Sequence, residues 1–187
     1  MAKLENNLKN FFLSMFLITA IVGAVLGGVY VMTEEPIAQA AAAKQKAAIT
    51  AVAPKFDTVG DAVEVTTANG EPAKIFPVLL AGEEVGKAVQ VTTKKGFGGK
   101  VEVMFGFDNN KTITGYNVLQ LNETPGLGSK MPDWFQTDGK SPVIGKNPGT
   151  DNLTVTKDGG SVDAITAATI SSRAFCDAIA QAYGIIK

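Results

Sequence analysis

"KVEVMFGFDNNKTITGYNVLQL", residues 100–121, is the stretch whose reading decides the fold. Val101, Val103, Phe105 and Phe107 recur at every second position, the period that puts side chains on one face of a half-buried strand. "DNNK" is a cluster of turn formers, and "TITGYNVLQL" is rich in strand-favouring residues. Together they predict an antiparallel hairpin. Upstream, "VEVTT", "KIFPVLL" and "AVQVTT" are further short strands, separated by the turn signals Asn69-Gly70 and "AGEEVG". Downstream, Ile170, Ala174, Phe175, Ala178, Ile179, Ala182, Tyr183 and Ile186 recur at steps of three and four, which predicts an amphipathic helix. The fold class is therefore α+β: an antiparallel sheet followed by a carboxy-terminal helix. No repeat of 20–50 residues is visible.

The amino-terminal region has a different texture. "FFLSMFLITAIVGAVLGGVYVM", Phe11 to Met32, is 22 residues without a charge, and about 20 cross the hydrocarbon core of a bilayer as a helix. That length exceeds the apolar stretch of a secretory signal, about 7–15 residues, although small residues at Ala38 and Ala40 leave cleavage as an alternative. Lys3 and Lys9 precede the span; Glu34 and Glu35 follow it. The positive-inside rule then keeps residues 1–10 in the cytoplasm and sends the rest outside, with Lys44 and Lys46 weakening the asymmetry. Residues 33–56 include "PIAQAAAAKQKAAITAVAP", an alanine-rich segment between Pro36 and Pro54 that reads as a stalk helix or linker. Residues 57–187 form the extracytoplasmic domain.

Composition excludes several chemistries. A net charge of −1 provides no basic field for nucleic acid. The single Cys176 rules out an internal disulfide and a cysteine-cluster metal site, and zero histidines remove imidazole catalysis and ligation. No metal site is expected. Complex chemistry here has to come from a cofactor.

Two short stretches are candidates for holding one. "DAITAATISSRAF", Asp163 to Phe175, puts Thr166, Ala167, Ala168 and Thr169 at the start of the last helix. Backbone N–H groups and the helix dipole at such a start suit a phosphate, although threonines cluster there equally as simple caps. "NETPGLGSKMPDW", Asn122 to Trp134, joins a carboxylate and a threonine to Gly126 and Gly128, residues that permit close backbone approach to a flat ligand. By itself this second stretch also reads as an ordinary Gly/Pro turn.

In combination, "ETPGLGSK" followed by "DAITAATISS", with "GFGGKVEVMFGFD" ahead of them, resembles the covalent-FMN domain of the G subunit of the Rnf electron-transport complex. The related C subunit of the sodium-pumping NADH:quinone oxidoreductase shares both motifs. The resemblance covers about residues 96–187 and agrees with a single amino-terminal span. It implies FMN attached by a phosphoester to Thr169. Thr166, Ala167 and Ala168 then fill the preceding motif positions, with Ala167 where glycine is common. Ser171 would assist with the phosphate, and Glu123, Thr124, Pro125, Gly126, Leu127 and Gly128 would hold the flavin, with Lys130 as an anion partner. Many relatives carry a histidine two residues before that glutamate, where this chain has Leu121. The implied function is electron transfer during ferredoxin:NAD oxidoreduction coupled to Na+ or H+ movement in a bacterial inner membrane. The implied partners are the other subunits, the lipid bilayer and a flavin transferase. The quinone-reductase subunit, and an anchored binding or assembly module with no redox role, stand as the alternatives.

Overall fold

A computed structural model describes residues 8–187, so Lys3 and the tail ahead of Leu8 lie outside the described residues. The elements run α1 (Leu8–Val52), β1 (Thr58–Val59), β2 (Val63–Thr66), β3 (Pro72–Leu80), β4 (Glu83–Gly96), β5 (Gly99–Asp108), β6 (Ile113–Leu121), α2 (Met131–Trp134) and α3 (Thr169–Ile186). The chain divides into two compact units, residues 1–44 and 45–187.

In the first unit, the described residues are all helical and exposed or nearly so. The apolar stretch from Phe11 to Met32 is about 33 Å long at the rise of an α-helix, enough for a membrane span. It is the one candidate span among the described residues. The sequence suggests a new helix starting at Pro36, but α1 passes through that proline without ending. The pyrrolidine nitrogen simply has no proton to give the preceding turn.

The second unit is an antiparallel sheet in the order β1-β3-β4-β5-β6, with β2 also pairing to β3. Every pairing is between antiparallel neighbours, and β5 lies between β4 and β6. The turn between β3 and β4 is tighter than "AGEEVG" suggests. Ala81 and Gly82 alone take positive φ, and Glu83 already belongs to β4.

Against one face of the sheet lies α3. Val101, Val103, Phe105 and Phe107 all point into that core, as their alternation predicts. Phe175 stacks on Phe135 with ring centroids 4.2 Å apart and meets Tyr116 edge-on at 4.9 Å. The expected half-buried strand is in fact buried on both faces. Met104, on the other side, packs with Phe76, Val78, Ala88 and the last turns of α1, through Ala48, Ile49 and Val52. Gly106 and Gly115, paired across β5 and β6, make that contact possible. A Cβ on Gly115 would lie 2.9 Å from Val52 Cα, and one on Gly106 would overlap the Val52 carbonyl. That carbonyl accepts a 2.6 Å hydrogen bond from Thr114 Oγ1.

Two details of α3 depart from its expected stripe. Ile170 is half exposed rather than in the core, while Ser171, Ser172 and Gln181 are buried. Asp177 ties α3 to β4, accepting from Thr93 Oγ1 at 2.9 Å and pairing with Lys95.

Candidate functional site

At the amino end of α3 lies an open groove of about 290 Å³, lined by Phe97, Glu123, Thr124, Leu127, Gly128 and residues 167–171. The two candidate stretches, separated by 28 residues in sequence, form its opposing walls. Of the expected site residues, Glu123, Thr124, Leu127, Gly128, Ala167, Ala168, Thr169 and Ser171 line it. Gly126, Lys130 and Thr166 are exposed residues beside it that do not.

The "TAAT" wall is built from the inside outward. Ser172, fully buried, accepts from the Ile165 N–H at 2.8 Å and donates to the Ala168 carbonyl at 3.0 Å. The Ala168 N–H closes a turn onto the Ile165 carbonyl. This turn forces Ala167 to φ +61°, the left-handed region that costs an L-residue about 1–2 kcal/mol. Glycine pays no such penalty, a physical reason for the glycine that the family resemblance implies is common at this position. Asp163 fixes the start of the loop: its carbonyl accepts from Trp134 Nε1 and its N–H donates to Ser141 Oγ.

The helix that follows is not capped. Ala168 occupies the N-cap position with no side-chain hydrogen bond, so Thr169 is the first residue of α3 rather than its cap. The N–H groups of the first turn have no carbonyl a turn earlier to pair with, and they form the positive end of the dipole. Thr169 is half-buried at the rim. Its Oγ1 accepts from Lys157 Nζ at 3.4 Å. Lys157 is a groove-side cation that the sequence reading did not pick out. It lies in "VTKDGG", which carries only turn signals.

The facing wall centres on Glu123. Its Oε2 accepts from Ser171 Oγ at 2.8 Å, while Oε1 is buried with no partner. Glycines on both sides make room for this carboxylate. A Cβ on Gly128 would come within 2.5 Å of Ser171 Oγ and 2.7 Å of Glu123 Oε2; one on Gly96 would lie 2.7 Å from Glu123 Oε1. Gly126 serves differently: it sits at φ +77° with open space around it, so conformation rather than close approach calls for glycine there. Its N–H donates to Ser129 Oγ, and the Leu127 N–H to the Thr124 carbonyl, closing the loop. Phe97, Leu127 and Ile170 present exposed apolar surface around the groove. Phe97 too went unselected in the sequence, where it is one aromatic among turn glycines.

The remaining candidate nucleophile is elsewhere. Cys176 is buried in the core, and burial with the nearby Asp158 charge pushes its thiol up to about 12. A thiol held that far above neutral is unreactive. Burial likewise pushes the Tyr116 phenol above its ordinary range. Its OH lies 2.8 Å from the Met131 carbonyl and accepts from the Phe135 N–H, a structural use.

Residues 96–184 match the model of the FMN-binding domain family, a span that contains both walls of the groove. The match covers a little under half of the chain. Relatives match beyond the FMN-binding domain, and each is the G subunit of an ion-translocating oxidoreductase complex. That of Pseudoalteromonas atlantica is 32% identical over 64% of this chain and 58% of its own length. That of Yersinia pestis is 29% identical over 81% and 77%, and that of Vibrio atlanticus 34% over 67% and 60%. The chain thus spans about three-fifths of the length of two of these relatives. The resemblance to the Rnf G subunit drawn from the two motifs agrees with them.

The groove residues fit FMN. An uncapped helix start suits its phosphate, the apolar surface of Phe97, Leu127 and Ile170 suits a flat ring system, and the unpartnered Glu123 Oε1 can accept from a hydroxyl or N–H of a ligand.

Proposed function

We propose that this chain is the membrane-anchored flavoprotein subunit of an Rnf-type complex, holding FMN through a phosphoester on Thr169. In that role it passes electrons during ferredoxin:NAD oxidoreduction coupled to Na+ or H+ translocation. The observation that carries the reading is the convergence of "ETPGLG" and "TAATIS" on one groove at an uncapped helix start. The names of the relatives, subunits of an ion-translocating oxidoreductase complex, support the assignment to such an assembly. Its partners are then the other subunits, the bilayer around Phe11–Met32, and a flavin transferase that modifies Thr169.

When bound, the flavin supplies the redox chemistry, and the chain supplies position and electrostatics. The Thr169 hydroxyl is the anchor, accessible because Ala167 and Ala168 are small. The first-turn N–H groups of α3 neutralise the phosphate. Glu123, Thr124, Leu127 and Gly128 shape the opposite wall, and Phe97 and Ile170 keep water from the ring. A covalent tether prevents loss of the carrier between turnovers.

Two measurements test this reading. In full-length protein produced together with a flavin transferase, Thr169→Ala removes all in-gel flavin fluorescence and the added mass while expression and membrane insertion continue; a fluorescent variant band would overturn the anchor. For sidedness, Lys3 and Lys9 before the span support a flavin domain outside the cytoplasm, on the periplasmic or extracellular side, with Lys44 and Lys46 after it as the opposing charges. A reporter fused after Lys187 is then active only if it works outside. Activity of a cytoplasm-only reporter reverses the orientation.

A further inference from the structure

We propose that Lys157 is the cation that binds the phosphate carried at Thr169, a role that rests on Thr169 being the attachment point and that neither motif contains. Lys157 lies in the 3-10 turn Thr156–Asp158, and its Nζ donates to Thr169 Oγ1 at 3.4 Å. Among the described residues it forms no ion pair. The neighbouring cations do: Lys95 is held by Asp177 and Arg173 by Asp158. An ammonium directed to a neutral hydroxyl rather than to a carboxylate is set for an anion that arrives on that hydroxyl.

The position of the turn is fixed by α3 itself. Asp158, next in sequence, is gripped at both oxygens by Arg173 of that helix, through Nε and Nη2 at 2.7 Å each. That hydrogen bonding holds the Asp158 carboxyl below its ordinary range, so the pair stays ionised at neutral pH. Gly159 ends the turn at φ +83°, and the Thr156 N–H returns to the Val162 carbonyl. Lys157 is thus carried on a strap attached to the same helix whose first residue bears the hydroxyl.

The charges in the groove call for such a residue. A phosphate diester keeps one negative charge, and its charged oxygens would lie two bonds from Thr169 Oγ1, through phosphorus, near an ammonium already 3.4 Å from that oxygen. On the other wall, the Glu123 carboxylate repels that charge. The helix start offsets part of the repulsion, and a lysine point charge on the open side offsets the rest.

The test uses the full chain with limiting flavin transferase, following loading by intact mass and in-gel fluorescence, and the loaded diester by its phosphorus NMR resonance. Lys157→Gln should load about fivefold more slowly at low salt, with the deficit shrinking as salt rises. Lys157→Arg should restore loading, and the phosphorus resonance should move in Lys157→Gln but not in Lys130→Gln. Thermal melts of the unloaded variants should match the parent, since the side chain is exposed. Loading of Lys157→Gln within twofold of the parent together with an unmoved resonance would overturn the proposal, as would a deficit that neither salt nor arginine alters. Failure of the underlying reading is distinct: Thr169→Ala would then still gain the flavin mass.

Discussion

The two ends of β5 carry turns of different composition that are used in opposite ways. At one end, "DNNKT" satisfies itself. Asp108 Oδ1 accepts from the N–H groups of Asn110 and Thr112, Asn109 Nδ2 donates to the Glu84 carbonyl, and Asn147 Nδ2 donates to the Asn110 carbonyl. At the other end, the glycine-rich turn at Phe97 opens on the groove. There a helix start has no cap, a carboxylate oxygen has no partner, and Ala167 is held at positive φ. Unmet bonding capacity collects where a ligand completes the structure, whereas a left-handed residue occurs at both ends, Ala167 at the groove and Lys111 in "DNNKT", each at φ +61°. The difference separates a turn that serves the fold from one that serves a site.

The largest effect expected at the groove end comes from Gly128→Val. Its side chain would collide with Ser171 Oγ and Glu123 Oε2, breaking their hydrogen bond and crowding a buried position. Overpacking of that kind costs about 1–3 kcal/mol, read as a lower denaturation midpoint, and flavin loading should fall with it. A variant as stable as the parent that also loads normally would mean that the walls do not have to meet as they do here.

The sequence disclosed the two ends unequally. Alternation in "KVEVMFGFD" is a local signal, so the strand, its neighbours and the inner face were legible. Burial of the outer face was not, because it depends on the last turns of α1, from Ala48 to Val52, covering Met104 and lying against the bare backbone of Gly106 and Gly115. At the site, the motif residues were legible as motifs, and the groove unites most of them. Lys157 and Phe97 were hidden because nothing in a turn sequence says which wall its side chain reaches. Lys130 looked equivalent to Lys157 in charge, and only folding separates them. Ile170 fits the helical stripe by spacing, yet as the second residue of α3 it turns to the groove.

A smaller effect is expected at the self-satisfied end. Asp108→Ala removes two backbone-directed hydrogen bonds from a partly exposed turn, for a loss of about 1–2 kcal/mol in a urea melt. Flavin loading should be unchanged, since Asp108 is at the far end of β5 from the groove. Impaired loading at full stability would show that the two ends are coupled, and the contrast between them would fail.

The smallest effect has the opposite sign. Ala167→Gly relieves a left-handed alanine at φ +61° without removing any contact that the fold depends on, since Ala167 is exposed. Two terms compete. Relief of the native backbone strain is worth about 1–2 kcal/mol. Against it, glycine raises the entropy of the unfolded chain by about 0.4–1 kcal/mol. The balance favours the variant by about 0.5–1 kcal/mol, a rise of a few degrees in Tm. The Ser172 bonds that shape the turn are untouched, so Thr169 keeps its place and loading should equal the parent's. Destabilisation by the same substitution would show that the turn is not strained at Ala167. The uncapped helix start would then stand as the groove's one departure from local rules near Thr169.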